Sequence, residues 1–85
     1  SAEPKLASGF EVTERNGAHV VRVDVAAECD VRVQLFQSPV DGKTVVEQRV
    51  SRGPFEIAID DVRFAGPNIV VVTLGGREIY TSRIE

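Results

Sequence analysis

Two residues that could act as nucleophile and base occur once each in this chain, Cys29 and His19. A thiolate nucleophile needs an imidazole within hydrogen-bond reach. If the alternating runs "HVVRVDV" and "DVRVQLF" form a hairpin turning near Ala27 and Glu28, Cys29 stands at the turn and His19 at the far end. The pair is then apart, and a semi-buried Cys with an edge His is the expected outcome. A serine nucleophile on a Gly-x-Ser-x-Gly elbow has no counterpart in the sequence. The chain reads as having no catalytic residues. Asp60-Asp61 suggest calcium, since hard cations want several oxygens from one loop. Adjacent aspartates point in different directions, however, and Glu56, Asp30 or Asp41 would have to converge on them from elsewhere. No known ligand spacing is present, so no metal and no cofactor are expected. In "DDVRFAGPN", Val62 and Phe64 read as plugs over the end of a core.

The elements that would position any site follow from size and pattern. At 85 residues, a chain buries only roughly 60% of its extended surface, which allows one core and no second domain. Hydrophobic residues make up 42% and charged residues 27%, the balance of a folded domain. Ten basic residues are scattered among thirteen acids for a net charge of -3, which opposes a nucleic-acid footprint. No apolar run approaches the roughly 18 residues of a membrane span, so no membrane insertion is expected. The leading "SAEPKLASG" lacks the charged-then-apolar order of a signal peptide. With no methionine anywhere, the chain reads as an excised or processed segment of a larger protein. Residues 1–9 read as an N-terminal extension, a tag or linker, ahead of a domain over 10–85. Cys29, being alone, cannot form an internal disulfide.

Period two dominates the rest. Val21, Val23 and Val25 alternate with Arg22 and Asp24, then Val31, Val33 and Leu35 with Arg32 and Gln34, and Phe55, Ile57 and Ile59 with Glu56 and Ala58. "IVVVTL" at 69–74 is apolar on both faces and reads as a central strand. Turn residues fall between the runs: Asn16-Gly17, Asp41-Gly42 in a longer loop after Pro39, Gly53-Pro54, Gly66-Pro67-Asn68 and a two-residue Gly75-Gly76 hairpin. Strands are expected near 10–14, 18–25, 30–37, 44–50, 55–59, 69–74 and 77–84, the last two paired antiparallel. Together they predict an all-β fold, a seven-stranded antiparallel immunoglobulin-like β-sandwich, with a small open barrel as the alternative. Val21, Val23, Val31, Val33, Leu35, Phe55, Ile57, Val70 and Val72 are the expected core.

From Val20 onward the order of these elements resembles the C-terminal sorting domains of proteins exported by the type IX secretion system, and related small sandwich modules of secreted bacterial proteins. Leu35 to Val46, with Asp41, Gly42 and Lys43, matches that family's turn into a Val-rich strand. Phe64, Gly66, Ile69 to Leu74 and Gly75-Gly76 follow its later plan. The chain differs where Pro67-Asn68 and then Ile69 replace the family's Tyr, and in closing on Arg83-Ile84-Glu85. The resemblance implies a non-catalytic module, secreted or at the cell surface, read by export machinery or held against a neighbouring domain.

Candidate partner-binding residues are Asp41, Gly42 and Lys43, at one end of the sandwich, and Tyr80, the ring most able to stay exposed. Other roles for the hairpin and the ring are simpler: Asp-Gly fixes strand register, and Tyr80 packs across strands. The alternative function is a structural or adhesive accessory domain that binds protein or carbohydrate. An edge strand would also allow weak self-association.

Overall fold

The alternating valines do form strands. The computed structural model describes residues 3–60 and 67–85, so Asp61 and the expected plugs Val62 and Phe64 lie outside the described residues. Seven strands follow in order: β1 (Ala7–Arg15), β2 (Ala18–Val25), β3 (Cys29–Ser38), β4 (Asp41–Val50), β5 (Gly53–Ile59), β6 (Asn68–Leu74) and β7 (Glu78–Ile84). They make two antiparallel sheets, β1-β2-β5 and β4-β3-β6-β7. The fold is a β-sandwich. Where a constant-type immunoglobulin domain sets its fourth strand beside the fifth, β4 here pairs with β3.

The core is a layer of small branched side chains. Val21 and Val23 from β2, Val31 and Val33 from β3, and Val70, Val72 and Leu74 from β6 are fully buried. Each buried Val or Leu contributes about 1.5–3 kcal/mol. β6 lies between β3 and β7, a central strand whose Val70, Val72 and Leu74 face the core while Ile69 and Val71 face outward. Phe55 and Ile57 face the same core but stay half-buried. They lie on β5, the edge of the smaller sheet, with no paired strand beyond it among the described residues.

Four local expectations are corrected. β2 and β3 are not a hairpin, because their valines face one another across the core and the strands belong to different sheets. Residues 26–28 therefore cross between the sheets. Asp41-Gly42 are not in a loop after Pro39: they begin β4, Ser38 pairs with Asp41, and Pro39-Val40 form the turn. Gly75-Gly76 extend to a three-residue turn with Arg77, since Leu74 pairs with Glu78. Both glycines have positive φ, 60° and 69°, which a side chain would strain. The sandwich also begins before residue 10, because Ala7 is buried in the core and paired with Val25.

Replacing Val33 by Asp should abolish folding. It puts an unpaired charge at a position with no exposure, at a cost of several kcal/mol out of a total of about 5–15 kcal/mol. A circular-dichroism melt within a few degrees of wild type would refute this layer as the source of stability.

Candidate functional site

Both outward faces of the sandwich carry paired charges, and one end of the four-stranded sheet departs from this with an apolar groove. On the three-stranded sheet the outward side chains carry charge and pair locally. Arg22 lies 3.1 Å from Asp24 and 3.3 Å from Glu56, and Arg15 lies 3.7 Å from Glu56. Such exposed pairs add little stability, but they leave a solvated, charge-satisfied surface. The four-stranded sheet turns Phe36, Ile69 and Val71 outward, with Phe36 opposite Ile69 in register. All three exposed large hydrophobic side chains among the described residues lie on this sheet: Ile69 at 37% exposure, Ile79 at 61% and Val40, at the β3–β4 tip, at 94%. A groove of about 370 Å³ runs along this face, lined by Phe36, Pro39, Pro67, Ile69 and Val71 with Gln37 and Ser38. Among the described residues no charged side chain lines it.

Gly42 makes room for the Phe36 ring that lines the groove. It stands opposite Phe36 in the β3–β4 ladder, and a Cβ on it would overlap the Phe36 ring. The ring therefore lies down across β4 in the space that a side chain would occupy. The requirement for glycine at this position is one of space, and Gly42 is not among the residues with positive φ. Val45 is an extra residue between the Val33–Val46 and Gln34–Thr44 pairs, a bulge that bends the edge strand.

No family model, curated protein or solved structure matches this chain. Any reading of function therefore rests on the surface chemistry and on the resemblance described above. Asp41, Gly42 and Lys43 are exposed at the start of β4, where Gly42 pairs with Phe36, and none of the three lines the groove. Tyr80 is elsewhere. Its ring points between the sheets, 5.5 Å from that of Phe10, and its hydroxyl donates to Glu78. It is half-buried and offers no flat exposed face, and the Glu78 carboxylate holds its hydroxyl above the usual phenol range. The groove residues Phe36, Ile69 and Val71 were not singled out from sequence as a site. The available signal was that β6 is apolar on both faces while covered by a second layer on only one.

His19 and Cys29 are not brought together. His19 pairs with Ile59 at one end of the sandwich and Cys29 with Val50 at the other. Burial pushes the Cys29 thiol up, away from thiolate character. Among the described residues no three His, Cys, Asp or Glu side chains gather to hold a metal ion. A second hollow, of about 420 Å³ beside β3 and β4, is lined by charges. These are mutually satisfied: Arg49 lies 3.1 Å from Glu28 and 3.4 Å from Asp30, and Arg32 lies 3.9 Å from Glu47.

Gly42→Ala should destabilise the domain by about 1–3 kcal/mol, the usual cost of overpacking. In a Phe36→Ala background the same change should cost much less, because the obstructing ring is gone. Urea denaturation of the four proteins measures this coupling, and additive losses would show that Gly42 serves something other than the ring.

Proposed function

We propose that this chain is a non-catalytic β-sandwich module of a larger secreted or cell-surface protein. In this reading it acts as the type IX sorting domains it resembles, and its partner, export machinery or a neighbouring domain, docks on the outer face of the four-stranded sheet. The observation that carries the docking surface is the apolar groove at the Phe36–Ile69 end of that face, with the exposed Ile69, Ile79 and Val40 on the same sheet, whereas the Asp30–Arg32 end of the face and the opposite sheet carry paired charges. Exposed apolar surface gathered on one face of a small domain is a usual mark of an interface. The extracellular location rests on the resemblance. Asp41, Gly42 and Lys43 contribute through the start of β4, where Gly42 leaves the space in which the Phe36 ring lies.

A structural or adhesive role is favoured by a different observation. β7 is an edge strand of seven residues with no proline and no bulge against its neighbour. Such an edge can accept an added strand from a partner or from a second copy.

C-terminal peptide mass spectrometry on the parent protein, from cells and from medium, separates the readings. The sorting role expects this module at the end of the cell-associated chain and missing from the released one. Its retention after release supports the structural role. Independently, Ile69→Lys should weaken partner capture or export at least about tenfold, the effect of placing a charge in an apolar contact. Arg22→Glu, on the opposite face, should leave either unchanged, and equal effects of the two would remove the groove from the proposal.

A further inference from the structure

The segment ahead of β1's main ladder is held by side chains of β7 and of the turn before it. One carboxylate holds two backbone amides: Glu78 accepts hydrogen bonds from the Leu6 amide at 2.8 Å and the Ala7 amide at 3.0 Å, one on each oxygen. The Tyr80 hydroxyl donates to the same group. Arg77 reaches Glu3 at 2.7 Å and the Pro4 carbonyl at 3.1 Å. The Ala26 amide donates to the Leu6 carbonyl, and the Leu6 side chain lies over Gly75, where a Cβ would come within 2.6 Å of it.

The register of β1 breaks just after these contacts. Ala7 pairs with Val25 and Gly9 with Asp24, so Ser8 is an extra residue in the ladder. From Gly9 onward β1 is tied to β2 by an unbroken run of pairs to Arg15. The strand is thus divided at Ser8: behind it is an ordinary ladder, and ahead of it a short stretch whose Leu6 and Ala7 amides are both held by one ionisable group.

We propose that residues 3–7 form a strap, latched to β7 by Glu78 and released by acid, whose opening stops at the Ser8 bulge. This does not depend on the proposed function. The groups facing the Glu78 carboxylate are Tyr80 and Arg77 from its own strand and turn, Cys29 from β3, and Glu3, through Arg77, from the strap. Asp30 and Arg49 act on Cys29 rather than on the latch. Burial draws the Glu78 pKa upward, but the Tyr80 hydroxyl and the Leu6 and Ala7 amides outweigh it, so the carboxyl is held below its ordinary value. A group with a lowered pKa stabilises the closed form above its ordinary range and loses that contribution as pH falls through the lowered value. Protonation leaves one oxygen carrying hydrogen and cancels the charge that makes these bonds strong. Release takes Leu6 and Ala7 off the end of the core where Cys29 is buried at 4% exposure. Cys29 serves only as a built-in reporter.

The test uses the whole chain and two readouts: protection of the Leu6, Ala7 and Ala26 amides by hydrogen exchange, and the rate of Cys29 modification by dithiodipyridine, which reacts in acid. Glu78→Ala at neutral pH should lower the three protections and raise thiol modification by about tenfold or more, the scale of losing charge-assisted bonds. Protection over residues 9–15 and in β3 and β6 should hold. Wild type should show the same local change as pH falls, and Glu78→Gln should lose that pH response. Protection lost together across β1 and the core would overturn the strap, as would an acid response that survives in Glu78→Gln or a Glu78→Ala protein indistinguishable from wild type. The wild-type titration needs no variant, so a Glu78→Ala protein that fails to fold does not leave the proposal undecided.

Discussion

The whole structure depends on one layer of small branched side chains meeting face to face. Valines and leucines from β2, β3 and β6 fill the space between the sheets, and no disulfide is available to hold the sheets together. Because the side-chain period of a strand is two, a slip of one residue in β2 or β3 would turn its valines to solvent and its charges inward. Packing and register are therefore a single constraint. The turns with positive φ, Asn16-Gly17 and Gly75-Gly76, are where the chain makes that register certain.

Much of this was legible in the sequence, because alternation and turn residues are local signals. The seven strands, the antiparallel closing pair and the central β6 follow directly from Val21 to Val25, Val31 to Leu35 and the run at 69–74. The hairpin read between β2 and β3 failed for a physical reason: alternation says which side chains share a face, but two neighbouring runs can pair edge to edge or pack face to face with the same pattern. The role of Gly42 was hidden similarly. A glycine beside an aspartate signals a turn, whereas here it makes room for a ring on the next strand, and no local rule distinguishes the two. Tyr80 and Glu78 were likewise out of reach, since their partners Phe10, Leu6 and Ala7 are about seventy residues away in sequence.

The candidate site was legible only in part. Asp41, Gly42 and Lys43 lie on β4 next to Phe36 in the ladder, whereas the groove itself is lined by Phe36, Ile69 and Val71, which look like core residues by type. Their exposure comes from sheet order: the sandwich has two layers, and a strand apolar on both sides has only one side covered. Asn68 is the reverse case, a polar residue at the start of β6 whose side chain is fully buried and has no hydrogen-bond partner among the described residues. Residue type set neither outcome. Position in the layers did.

The strand order also bears on how quickly the fold can assemble. β1 with β2, β3 with β4 and β6 with β7 are neighbours in the chain, so three hairpins can close over short loops. The pairings that convert hairpins into sheets are different: Val21 must find Ile57, and Val33 must find Val72, each across more than thirty intervening residues. Closing such distances costs chain entropy before any contact repays it, and folds dominated by non-local pairing take on the order of milliseconds to seconds. During that interval the hairpins carry their apolar faces uncovered. The same β6 strand that ends at the centre of the larger sheet is, until then, the segment most able to associate with another unfolded chain.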